Sequence, residues 1–206
     1  MKPPKRLLKK LCRGGDSGPA ARSWRQAARS LVPEPALAKA GDEARVGQKG
    51  TLTRIWARKG SRPRKPRDTG YEWAYLFGAV CPARATGAAI VMPYAGTEAM
   101  NQHLAVIAAR ITPGAHGIIV LDGAGWHSNK ALVTPANLTL ITQPPFAPEV
   151  NPAENVWEYL RQNKLAIRIY ETYDAIVKAC CQAWNDLMET PDRIVSLTTR
   201  DWAQVS

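Results

Sequence analysis

Three carboxylates, Asp42, Asp122 and Glu154, have a setting that suits phosphoryl-transfer chemistry. Asp42 precedes a strand-like segment at 51–57. Asp122 ends the apolar run GIIVL at 117–121, and Glu154 falls in the first turn of a helix opened by Asn151 and Pro152. Carboxylates at strand ends and a helix start can converge at one edge of a sheet. Their hard oxygens suit Mg2+, which binds through a few carboxylates and keeps waters for a substrate phosphate. Two such ions can activate a nucleophile and stabilise the leaving oxygen of an in-line phosphodiester displacement. Each acid also has a structural reading. Asn151-Pro-Ala-Glu154 matches an N-cap with its capping-box partner, Asp122 before Gly123 suits a turn, and Asp42-Glu43 suits a solvated charge pair.

A second group is cationic. Arg54, Arg58, Lys59, Arg62, Arg64, Lys65 and Arg67 crowd one connection between strands, together with Trp56, Gly60 and two prolines. A solvated loop is one reading of this run, but its charge density favours contact with a nucleic-acid backbone, and no base-reading element accompanies it. His127, five residues past Asp122, stays outside the metal set, because a lone histidine is more often a structural hydrogen-bonding group.

These residues need a frame. Segments at 51–57, 72–80 (EWAYLFGAV) and 87–92 predict consecutive antiparallel strands separated by Gly- and Pro-containing turns. Met100, Leu104, Ile107 and Ile111 predict a helix over 97–110, ended by Pro113-Gly114. The GIIVL run suits a buried central strand, and 138–142 suits another. The helix from 151 has Val156, Trp157 and Leu160 on its apolar side and Glu154, Glu158 and Arg161 on the other. A last helix over 172–188 turns Tyr173, Ile176, Val177, Cys180, Trp184, Leu187 and Met188 inward. This order predicts a mixed sheet covered by helices.

With 206 residues, 45% of them hydrophobic and 22% charged, the chain can bury one sizeable core and does not read as a disordered polymer. A net charge of +11 favours an anionic partner, with nucleic acid ahead of a membrane surface because no long apolar anchor accompanies the charge. Residues 1–40 hold ten Lys or Arg against Asp16 and Glu34, which is +8 of the total. They read as a basic arm. Cys12, Cys81, Cys180 and Cys181 lack zinc-site spacing and are expected as reduced thiols. Without a secretory leader or a run of about 18 apolar residues, a soluble cytoplasmic protein is expected.

Two blocks are distinctive: LDGAGWHSNK at 121–130 and ITQPPFAPEVNPAENVWEYLR at 141–161, with GDEARVGQKGTLTRIWARKGSRP at 41–63 upstream. Over roughly residues 41–200 the sequence resembles the DDE transposases of bacterial insertion sequences, within the mariner-like superfamily. The resemblance implies an α/β fold: an RNase-H-like mixed sheet of three antiparallel strands followed by parallel strands, flanked by helices. It implies two Mg2+ or Mn2+ ions held by Asp42, Asp122 and Glu154, the last two separated by 31 residues. The chemistry implied is hydrolytic nicking at transposon ends, then attack of the freed 3′-hydroxyl on target DNA, in a homodimer. Arg54 to Arg67 and Lys130 would hold phosphates, and Trp157 would anchor the helix that carries Glu154.

On this reading 41–206 form the catalytic domain, and 1–40 are a basic arm, disordered or read from an altered frame. Family members usually carry helix-turn-helix units upstream, whereas the forty-odd residues before Asp42 show no two-helix pattern. The family also sets a hydrophobic strand directly before its first acid, where residues 35–41 offer only Leu37 and small side chains. Two other functions fit the same features: a truncated, non-catalytic DNA-binding remnant, and a nuclease of the same fold that cuts without joining.

Overall fold

The computed structural model describes residues 10–12, 37–49, 57–62, 64–65, 68–122, 130–142 and 152–199, with the backbone alone for 10–12, 37–42 and 152. Its strands are β1 (Lys10–Cys12), β2 (Leu37–Gly47), β3 (Trp73–Cys81), β4 (Thr86–Met92), β5 (Gly117–Leu121) and β6 (Leu138–Thr142). They form one sheet in the order β1-β4-β3-β2-β5-β6. From β1 to β2 every pairing is antiparallel, and β2-β5 and β5-β6 are parallel. The α-helices are α1 (Thr97–Ala108), α2 (Pro152–Leu160), α3 (Tyr173–Met188) and α4 (Pro191–Thr198), and a π-turn at Arg161–Leu165 follows α2. The expected mixed sheet flanked by helices is present.

Strand alternation divides the interior in two. Ala74, Leu76 and Val80 of β3, Ala89 and Val91 of β4, and Ala44 and Val46 of β2 share an apolar cluster with α2, α3 and α4. Phe77 and Ala79, Ala88, Ile90 and Met92, and Ile119 and Leu121 of β5 join Met100, Leu104 and Ile107 of α1 on the other face. Strands β3 and β4 are covered on both sides, which is why they read as near-continuous apolar runs.

The structure departs from the sequence reading at β2. Asp42 lies within this strand, not ahead of the first one, and the strand begins at Leu37 although Ala38, Ala40 and Gly41 carry little strand signal. The reason is tertiary: β2 is interior, with β3 on one edge and β5 on the other, so ladder pairing on both sides holds a segment whose own propensity is weak. Its start, and β1, come from the stretch read as a basic arm. The strand expected at 51–57 lies outside the described residues except Ala57, which is not in a strand. Helix α4 went unpredicted, although Pro191 at its start and Asp192 in its first turn are start signals.

Candidate active site

Asp42 occupies a β-bulge. Ala40 pairs with Ala79 and Glu43 with Phe77, so Gly41 and Asp42 together face the single residue Gly78. A bulge inserts an extra residue and bends its strand, a device common beside active sites. Small residues on both sides, Ala40, Gly41 and Gly78, accommodate it.

Asp122 follows the last residue of β5. The parallel register sets Leu37 against Ile118 and Ala38 against Ile119. Continued three residues further, it brings Asp122 level with Gly41, the neighbour of Asp42. Adjacent strands lie about 4.8 Å apart, so the backbones of the two acids are neighbours. Leu121 and Ile119 are buried under α1, so alternation turns the half-buried Asp122 to the face on which α2 packs.

Glu154 stands in the first turn of α2, where a negative charge suits the helix dipole. The inner side of this helix, Ala153, Val156, Trp157 and Leu160, is fully buried. Trp157 meets Trp184 of α3 with ring centroids 6.2 Å apart. Both indoles close on Gly78, where a Cβ would lie 2.6 Å from Trp157 Cη2 and 2.6 Å from Trp184 Cζ3. The residue opposite the Asp42 bulge must therefore be glycine so that the helix bearing Glu154 can lie against the sheet. Asn155 Nδ2 donates to Leu197 O of α4 at 3.0 Å, a further tie on α2. The Glu154 carboxylate, 41% exposed, pairs with Arg161 two turns on at 3.7 Å. The sequence placed both residues on one side of the helix without singling out that pair.

Of the cations expected to hold phosphates, Arg58, Lys59, Arg62, Arg64, Lys65 and Lys130 are exposed, and Arg54 and Arg67 lie outside the described residues, as does His127. The base of the basic connection is fastened by residues the sequence reading passed over. Asp68 Oδ1 accepts from Gly70 N at 3.0 Å and Oδ2 from Tyr170 N at 2.8 Å. Gln48 Nε2 donates to Tyr170 O at 2.6 Å, while its Oε1 accepts from Glu72 N at 2.8 Å. The Asp-x-Gly spacing at 68–70 was the available signal, since it matches an Asx-turn. Burial pushes the Tyr170 phenol up to about 12, so it stays neutral in this anchor.

The donor chemistry fits a hard divalent cation. Asp42, Asp122 and Glu154 offer only carboxylate oxygens, which suit Mg2+ or Mn2+. Among the described residues no group of three His, Cys, Asp or Glu side chains is close enough to hold a metal, and the Asp42 side chain lies outside those residues' described atoms.

Against known sequences, residues 40–177 match the family described as DDE superfamily endonuclease. The chain belongs to this family. An uncharacterized protein of Sinorhizobium fredii, y4pE/y4sA, is 51% identical over 134 residues, which cover 65% of this chain and 99% of the relative. The DDE fold is also that of the Mos1 strand transfer complex, with a TM-score of 0.52 and 11% identity over 91% of this chain and 64% of that one. The Mos1 mariner paired end complex with Mn gives 0.53 and 11% over 91% and 65%. The chain thus spans less than two thirds of the Mos1 chain, and at this identity the likeness concerns the fold alone. No helix among the described residues of this DDE endonuclease chain is long and apolar enough to cross a membrane.

Proposed function

We propose that this chain is the catalytic part of an insertion-sequence transposase, which nicks DNA at the ends of its element and transfers the strand to target DNA. One observation carries the reading. In a DDE-family chain, Asp42 sits in a bulge level with the end of β5 that bears Asp122, and the helix carrying Glu154 is anchored on the bulge's partner, Gly78. The Mos1 structures, solved with DNA ends and with Mn or Mg, support the same partner and cofactor class.

Asp42, Asp122 and Glu154 would hold two Mg2+ or Mn2+ ions. When bound there, they would supply Lewis-acid stabilisation of the charge that develops on the phosphate oxygens. The work of the chain is positioning. On this reading the bulge would position Asp42, the end of the buried strand Asp122, and Trp157 the helix under Glu154, so that the rigid frame would limit the ordering required when substrate arrives. Arg54, Arg58, Lys59, Arg62, Arg64, Lys65, Arg67 and Lys130 would hold the phosphate backbone, with affinity that falls steeply with salt. Two ends must be held together for transfer, which calls for a homodimer acting in the cytoplasm on the nucleoid.

The test is Mg2+- or Mn2+-dependent nicking of a supercoiled plasmid bearing the element's own ends, by the natural chain and by Asp122→Ala and Glu154→Ala. Nicking that falls by at least about a hundredfold in both variants, with DNA affinity retained, supports the three-acid site. A folded natural chain that binds DNA and never cuts it points to the non-catalytic remnant. Cutting without strand joining points to a plain nuclease.

A further inference from the structure

Between β5 and β6 the chain passes from Asp122 to Leu138, and among the described residues of that passage, 130–137, there is no helix. Parallel strands usually cross over through a helix that packs the connection down. Over the described residues 130–137 a side chain of α1 takes hold of the connection. Asn101 Nδ2 donates to Ala131 O at 3.0 Å, and Asn101 Oδ1 accepts from Val133 N at 2.8 Å. One amide thus grips the carbonyl and the N–H that flank Leu132, which packs into the α1-side core. Near β6 a second asparagine, Asn137, donates from Nδ2 to Ala108 O at the end of α1 at 3.0 Å.

The grip is not explained by a need to satisfy buried groups, because Ala131 and Val133 are exposed and water could serve them. Asparagine is also a poor choice for a helix interior on propensity. What the grip adds is position. It fixes the backbone immediately after Lys130, an exposed cation at the far end of the stretch that leaves Asp122.

We propose that Asn101 is a positioning residue for DNA: by clasping residues 131–133 to α1, it holds Lys130 where it meets a phosphate next to the candidate active site. This rests on the proposed role of Lys130 in holding DNA. A lysine on a fixed backbone loses less freedom on binding than one on a free loop. Asn101 therefore strengthens binding without touching the nucleic acid.

The experiment measures the affinity of the full chain for a DNA duplex over a range of salt, for the natural protein, Asn101→Ala, Lys130→Ala and the double variant. It is joined to amide hydrogen exchange at residues 131–133. Alanine is the better helix former, so Asn101→Ala is expected to fold, and its thermal midpoint checks this. Lys130→Ala should reduce the slope of log affinity against log salt by about 0.9, as expected when one phosphate is released. Asn101→Ala should weaken binding about threefold at ~0.1 M salt and speed exchange at Val133 by about tenfold. The double variant should bind no more weakly than Lys130→Ala alone.

Additive losses in the double variant would overturn the proposal, because Asn101 would then act independently of Lys130. Unchanged exchange at 131–133 in Asn101→Ala would overturn the clasp itself. An unchanged salt slope in Lys130→Ala would instead remove the lysine–phosphate pairing, a failure of the proposed DNA-binding role that is visible without Asn101.

Discussion

The frame beneath the acids and the basic connection between β2 and β3 are held by opposite means. Around Gly78 two tryptophans, three helices and the strands are locked by apolar packing, with Trp157 2% and Trp184 0% exposed. The described cations of the connection, Arg58, Lys59, Arg62, Arg64 and Lys65, are all exposed. The segment is fastened at its base by backbone N–H groups, that of Tyr170 included, donating to Asp68 and Gln48, and by Gln48 Nε2 donating to Tyr170 O. Chemistry on phosphodiesters needs ligands placed to a fraction of an ångström, which packing provides. Holding a polyanion needs charge that can follow its partner, which packing would hinder. Substitutions in the first region should therefore act through stability, and those in the second through binding.

The largest effect should come from removing the indole between α2 and the sheet. Trp157→Ala is expected to cost about 3–5 kcal/mol, lowering the thermal midpoint by roughly 10 °C for a chain of this size. Gly78→Ala approaches the same packing from the strand, where a Cβ would meet both rings at 2.6 Å. Overpacking of this kind costs about 1–3 kcal/mol. Both variants should lose nicking along with stability, because the helix under Glu154 shifts. A Gly78→Ala protein with an unchanged midpoint would break the contrast, since the bulge and the helix would then not be coupled through this glycine.

Neutralising the basic connection should do the reverse. Arg58→Ala, Lys59→Ala and Arg62→Ala combined should leave the thermal midpoint within about 2 °C, as expected for exposed sites. The salt slope of DNA binding should fall by about 0.9 for every phosphate no longer held. Titrations at several salt concentrations, read beside a melting curve, test both halves. A large fall in the midpoint with an unchanged slope would reverse the roles assigned to the two regions.

The same contrast governs how much could be read beforehand. The strand at 117–121 and the Trp157 side of α2 were legible, because continuous burial and a helical apolar stripe write themselves into residue type. The strand carrying Asp42 was not. Ala38, Ala40 and Gly41 are chosen for their neighbours in a central position and not for their own propensity. The bulge is a matter of register between β2 and β3, which no local pattern encodes. Asp122 and Glu154 could be assigned to element ends from sequence, whereas the adjacency of Asp42 and Asp122 required the parallel pairing of β2 with β5. The grips of Asn101 and Asp68 span 30 or more residues, and single-sequence reasoning has no handle on them.

The smallest expected effect tests how far the locked region extends. Lys164, in the π-turn that follows α2, donates to Asp186 of α3 at 2.9 Å, and Gln182 donates to the same carboxylate at 2.6 Å. The hydrogen bond from Lys164, then that from Gln182, holds the Asp186 carboxyl below its ordinary value of 3.8, and the same bond raises Lys164. A depressed carboxylate contributes stability above its unfolded pKa and loses it as pH falls through the folded one. Lysine, raised, contributes below its own unfolded value of 10.5 and loses that contribution as pH climbs past the folded one. The pair should therefore act as a plateau across neutral pH that disappears at both extremes. With the two side chains 31% and 30% exposed, solvent screening keeps the contribution to about 1 kcal/mol or less, or roughly 2–4 °C. Asp186→Asn should lower the midpoint by that amount at pH 7, and the difference should vanish as the pH drops below the ordinary carboxylate range. A deficit persisting at acid pH would mean that the asparagine disturbs packing and not charge, which would extend the apolar lock to the rim of the helix layer.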